Sequence, residues 1–176
     1  MTMQDIAAAA ARTQSVLRRR PSTGVREDGP CVARWAGGLR IVAGDSHGHE
    51  VATDLPAALG GTGEEVSPGW LMRAGLAACA ASCIAFAAAQ AGIELAELEV
   101  TARSVSDAGG LFALPDGDGK PRFPGPRDVR LEVRLRAPGV AAARLRELAF
   151  AACRSSPVHA ALEAVTPVAV SIDAGD

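Results

Sequence analysis

Residues 67–93 read SPGWLMRAGLAACAASCIAFAAAQAGI and carry a single charge, Arg73. Ser67 suits a helix N-cap, because its hydroxyl can accept from a free first-turn N–H, and Pro68 suits the first helical position. Gly92 suits the C-terminal stop. The pattern predicts one helix of about 24 residues, roughly 36 Å long. On a helical wheel Met72, Gly75, Leu76, Cys83, Phe86 and Ala87 share the face of Cys79. Trp70, Ala77, Ala81 and Ala88 lie opposite. A helix apolar on both faces is expected to be buried all round, in a core or in a membrane. The uncharged run is long enough to span a bilayer. Its Ala, Gly, Ser and Cys content, and the lack of basic or aromatic pairs at both ends, favour a protein core over a membrane.

Working outward, residues 3–19 read as an N-terminal helix stopped by Pro21, so residues 1–20 are expected to be a helical extension and 21–176 the main domain. CVARWAGGLRIVA, residues 31–43, gives two strands around Gly37-Gly38, a two-residue hairpin signal. HEVATDLP, 49–56, reads as a third strand. LGGTGEEVS, 59–67, lacks the lysine ending of a phosphate loop and follows no dinucleotide pattern, so a flexible connection is expected there. Strand character returns late in 94–107. Residues 106–127 are rich in Gly and Pro and read as a mobile or functional loop. In DVRLEVRLR, 128–136, Val129, Leu131, Val133 and Leu135 alternate with charged residues, which marks a half-buried strand. Two helices follow over 140–164, and PVAVSID, 167–173, reads as a closing strand. This order defines an α+β chain with mostly antiparallel sheet around helices.

Composition narrows the function. Of 176 residues 48% are apolar, but with 4 Phe, 2 Trp and no Tyr the large side chains are few. A core shared between two subunits would relieve that shortage. A net charge of −2 and no dominant basic patch argue against nucleic-acid binding. No signal-type segment is apparent, and four cysteines are too few for a disulfide scaffold. A cytoplasmic chain with reduced or redox-active thiols is expected. No cofactor motif is present. His47 and His49 with Cys79 and Cys83 make a poor metal set, so no metal is expected.

The thiols are Cys31, Cys79, Cys83 and Cys153. Cys79 and Cys83 stand i, i+4, with Cβ atoms about 6 Å apart on a helix, whereas a disulfide needs about 3.8 Å. A thiol in the middle of a helix gains little from that helix's own dipole, and apolar burial makes it inert. Read from residues alone, Cys79 is a core cysteine unless a cation is brought to it. Arg26 and Arg34 are open candidates. Cys31 and Cys83 read as packing residues, and His159 as a helix-surface residue.

DLPAALGGTGEEVSPGWLMRAGLAAC, with its Gly-Gly loop, Pro-started helix and cysteine eleven residues beyond Pro68, resembles the OsmC/Ohr family of osmotically inducible and organic hydroperoxide resistance proteins. SSPVHAAL, 155–162, resembles the family's second, cysteine-Pro-Val segment. The resemblance covers about residues 30–173. It implies an OsmC-like fold, in which sheets wrap two long central helices in an intertwined homodimer. It also implies a thiol-dependent peroxidase for organic hydroperoxides, with Cys79 as nucleophile and a thiol or lipoyl reductant. The sequence departs from the pattern twice. Ser156 stands where the family has its second cysteine, leaving Cys153, three residues earlier, as the candidate resolving residue. Gly69 stands where the hydroperoxidase branch has a glutamate, with Glu64 and Glu65 the nearest carboxylates. The branch's activating arginine maps to Arg26, with Arg34 second. Met72, Leu76, Phe86 and Ser156 are the expected pocket. The alternative implied by the departures is a non-catalytic small-molecule-binding protein on the same scaffold.

Overall fold

The computed structural model describes residues 2–164 and 167–175. Helix α1 spans Met3–Arg19, and strands β1 Val32–Trp35, β2 Ile41–Gly44 and β3 Glu50–Thr53 form an antiparallel sheet in that order. Helix α2 is Pro68–Gln90, β4 Glu97–Val105, α3 Ala108–Leu111, β5 Arg127–Arg136, α4 Ala142–Arg154 and α5 Pro157–Glu163. β4 and β5 pair antiparallel as a second sheet. The α+β class and the long central helix are as the sequence predicts.

Helix α2 begins as its end signals require. The Ser67 hydroxyl accepts from the Trp70 N–H at 3.1 Å, Pro68 takes the first position, and Gly92 adopts φ 66° past the end. Its one charge is used, because Arg73 donates to the Ser104 hydroxyl at 3.3 Å and ties the first turns to β4. The second sheet follows the alternation of its sequence. Leu98 pairs with Leu135 and Val100 with Val133, and all four pack against the core of Ile84, Ala88, Leu145, Leu148, Ala149 and Ala152. The other face carries the charges, with Arg134 on Glu99 at 3.2 Å and Arg103 on Glu132 at 3.0 Å. These exposed pairs add little stability and keep that face wet.

The structure corrects or refines five expectations. First, α2 is not buried all round within one chain. Leu76, Ala80, Ile84 and Ala88 are buried, one turn apart, whereas Gly75, Ala78, Ser82 and Phe86 form an exposed stripe. The sequence supplied apolar residues on both sides, and this chain alone covers one of them. Second, residues 59–67 are not a loose connection. The buried Asp54 carboxylate accepts from the Leu55 N–H at 2.7 Å, the Thr62 N–H at 2.8 Å and the Thr62 hydroxyl at 2.6 Å. These bonds hold its pKa below the usual carboxylate range, Thr62 first. The wrap is so close that a Cβ on Gly61 would lie 1.8 Å from the Leu55 carbonyl oxygen, so only glycine fits there.

Third, the segment 106–127 is stapled. Asp107 pairs with Arg122 at 3.0 Å and Arg127 at 3.5 Å, and its carboxylate also accepts from the Gly109 N–H. Fourth, residues 167–175 form no strand and lie exposed. The β1–β2 turn also runs longer than a two-residue hairpin. The Ala36 N–H donates to Arg40 O at 2.9 Å, and Gly37 and Gly38 take φ of 104° and 56° inside it.

Candidate functional site

α5 brings its start to the middle of α2. The helix α4 ends at Arg154, Ser155 and Ser156 turn the chain, and Pro157 restarts it. The turn is held by the Ser156 N–H donating to Cys153 O at 3.0 Å. Ser156 thereby enters the core with no exposed surface, and its hydroxyl donates to Cys79 Sγ at 3.1 Å. Ser156 makes no side-chain cap of its own helix. The sulfur of Cys79 instead faces the opening turn of α5, where the Val158 N–H adds a second favourable dipole.

The electrostatics separate the three inner thiols. The Ser156 hydroxyl, then the Val158 N–H, hold the Cys79 thiol below its ordinary range, against the opposing effect of partial burial. Burial pushes Cys83 up, and a charge on Cys79 pushes it further. Burial also pushes Cys153 up. The thiolate is the reactive form of a cysteine, and of the three inner thiols Cys79 is the one whose surroundings favour it. Alkylation by iodoacetamide, followed by peptide mass spectrometry across pH 6–9, is the direct check. Cys79 should gain reactivity at lower pH than Cys83 and Cys153. Ser156→Ala should move its midpoint upward.

The sequence put Ser156 in the expected pocket but did not show that its hydroxyl donates to Cys79. A mid-helix cysteine is indeed far from the ends of its own helix, but the donors come from α5. Ser156-Pro157, an N-cap followed by a proline, marks the helix start in sequence, but the N-cap pattern alone gives no cue that the hydroxyl turns to a sulfur instead of capping its own helix.

The other expected site residues are distributed as follows. Arg26 and Arg34 are both exposed, and neither bonds to Cys79; the groups acting on that sulfur are Ser156, Val158 and Cys83. Cys153 lies in the last turn of α4 and opens toward Phe150, Arg154 and His159. Cys83 is influenced by both Cys79 and Cys153. Leu76 is buried and lines a cavity of about 280 Å³ with Phe123, Val129, His159 and Leu162. Phe86 is 47% exposed and lines a different groove, beside Cys83 and α4. Met72 is half-buried on the first turns of α2. The expected residues therefore do not line one pocket: Leu76 and Phe86 face different openings, and Met72 and Ser156 line neither of the two. Glu65 is engaged by Arg40 at 2.8 Å. Cys31 is exposed rather than packed, at the edge of β1. His159 is mostly buried, with Nε2 3.5 Å from Glu163 and Nδ1 without a partner among the described residues, so it is not a surface residue. Among the described residues no cluster suits a metal ion.

Two antiparallel sheets, a long alanine-rich helix and a sulfur clasped by the start of a Pro-Val helix define a class of cysteine-bearing α+β proteins. The chain belongs to the OsmC-like protein family, whose model matches residues 61–171. Solved structures agree on the fold. An OsmC-like protein from Mycoplasma pneumoniae is similar with TM-score 0.63 and 18% identity, over 80% of this chain and 91% of that one. An organic hydroperoxide resistance protein from Legionella pneumophila gives 0.53 and 24%, over 78% and 91%. An osmotic stress induced and detoxification response protein from Psychrobacter arcticus gives 0.60 and 19%, over 77% and 89%. Comparison with curated proteins finds no match.

Proposed function

We propose that this OsmC-like protein reduces organic hydroperoxides, with Cys79 as the nucleophile, in oxidative stress defence in the cytoplasm. The observation that carries the reading is the 3.1 Å hydrogen bond from buried Ser156 to Cys79 Sγ. A donor at that distance stabilises the thiolate, which attacks the terminal peroxide oxygen. The sulfur gives two electrons, the O–O bond breaks and an S–O bond forms. The products are a sulfenic acid and, after a proton is taken up, an alcohol. One neighbouring structure is named an organic hydroperoxide resistance protein, which is consistent with this substrate class. One equivalent of cumene hydroperoxide, followed by a sulfenic-acid probe and peptide mass spectrometry, tests it. Labelling at Cys79 is expected, and no labelling would overturn the reading.

The alternative is a non-catalytic binder of apolar small molecules. Ser156 and Gly69, in place of the family's cysteine and glutamate, favour it. In that case Cys79 stays reduced in the same experiment, and a small molecule accompanies the purified protein.

We also propose that the functional unit is a homodimer. The exposed stripe of α2 is free of charge, and Trp35, Trp70 and Phe86 stand 74%, 48% and 47% exposed. β1 is exposed along its whole length. A second copy laid along α2 would cover these surfaces and complete the burial its composition calls for. Light scattering on a sizing column should give twice the chain mass.

A further inference from the structure

The residue beside the nucleophile also governs how the oxidised sulfur is returned. In this chain it is a serine, which cannot form a disulfide. Cys83 is one turn along the same helix, where Cβ atoms lie about 6 Å apart and a disulfide needs about 3.8 Å. Cys153 opens on a groove with Phe150 and Arg154, and is not among the groups acting on Cys79. All four cysteines are free.

We infer that oxidised Cys79 is reset by a small external thiol through a mixed disulfide, and that the Ser156 hydroxyl makes Cys79 the sulfur that leaves. The first step rests on the peroxidase reading above. A thiol RSH attacks the sulfenic sulfur: an S–S bond forms, the S–O bond breaks, and the hydroxyl leaves with the thiol's proton as water. A second RSH then attacks the R-bearing sulfur. The disulfide RSSR departs, and Cys79 is released as thiolate. In total one hydroperoxide and two thiols give one alcohol, one disulfide and one water.

The direction of the second attack follows from the geometry. In thiol exchange the sulfur better able to carry negative charge leaves faster. Ser156 has no exposed surface and its hydroxyl points at Cys79 Sγ from 3.1 Å, so developing charge there is met by a fixed donor. A small external thiol brings no fixed donor of its own to the R-bearing sulfur. Cys79 is itself half-buried, which favours a small thiol over a folded partner as the attacker.

Two arms test this on the intact protein. In the first, the protein is treated with one equivalent of cumene hydroperoxide and then with 2-mercaptoethanol at substoichiometric dose. Peptide mapping should find one mercaptoethanol adduct on Cys79. A peptide linking Cys79 to Cys83 or Cys153 would overturn the inference, while leaving the peroxidase reading intact. The second arm needs no peroxide. Methyl methanethiosulfonate places a methylthio group on Cys79 directly, and 2-mercaptoethanol is then added. Early time points should show free Cys79. Exchange of methylthio for mercaptoethanol on Cys79 would mean attack at the wrong sulfur and would overturn it. Ser156→Ala should slow release about tenfold, the effect of losing one hydrogen bond to a charged group. An unchanged rate in a folded variant also overturns it. If no sulfenic acid forms but release behaves as expected, the peroxidase reading fails and the role of Ser156 stands.

Discussion

Cys79→Ser should reduce hydroperoxide consumption by at least about 10³-fold, the scale seen when a nucleophile is removed and the rest of a site is kept. The measurement is loss of cumene hydroperoxide under a thiol reductant, with the unmodified chain beside it. The variant is expected to fold, because serine is close to cysteine in size and Cys79 lies partly open rather than in the sealed part of the core. The contrast with the other thiols makes the result specific. Cys83 and Cys153 are pushed toward the neutral thiol by burial, so Cys83→Ser and Cys153→Ser should leave most of the rate in place. Equal rates for the parent and Cys79→Ser would remove the nucleophile assignment altogether.

Ile84→Ala should be the most damaging conservative change to the fold. Ile84 has no exposed surface and belongs to the cluster that joins α2, α4 and the β4–β5 sheet. Alanine there removes apolar contact and leaves a cavity that the surrounding helices fill only in part. The expected cost is about 2–5 kcal/mol. For a chain of this size that corresponds to a fall in melting temperature of roughly 4–20 °C. Phe86→Ala is the control, since Phe86 is half exposed in the single chain and should change stability far less unless a second subunit covers it. Thermal melts at two protein concentrations separate the cases. A concentration-dependent loss with Phe86→Ala would itself mark an intersubunit contact.

Much of the architecture was legible because local signals agreed. Ser67-Pro68 and Gly92 bracket α2, and the alternation of Val129 to Leu135 marks β5 and its buried face. The apolar wheel of α2 was legible as well, but not its division into a buried and an exposed side, because alanine and glycine look alike on both. The ordering of 59–67 was not readable. It depends on Asp54, a residue of ordinary turn composition whose carboxylate meets Thr62 only after the chain has folded back. The staple at Asp107 is similar, since Arg122 and Arg127 reach it across a loop. At the site, the motifs pointed to both Cys79 and Ser156, whereas the hydrogen bond between them was not readable. Ser156 lies 77 residues away, and only the tertiary fold sets the hydroxyl on the sulfur. PVAVSID has the alternation of a strand, yet 167–175 has no pairing partner within the chain among the described residues.

The anchoring of the first sheet has one more consequence. β3 meets the chain just ahead of α2 through the Thr53–Val66 bridge, and Asp54 fastens the loop beside it. That clamp grips the helix at Ser67, twelve residues or about 18 Å of helix rise before Cys79. The serine that tunes the sulfur arrives from the opposite end of the chain. Scaffold and reactivity are thus held by separate hands, so evolution or engineering can rework the entrance of the helix without retuning its thiol, and the energetic effects of changes at the two places should sum.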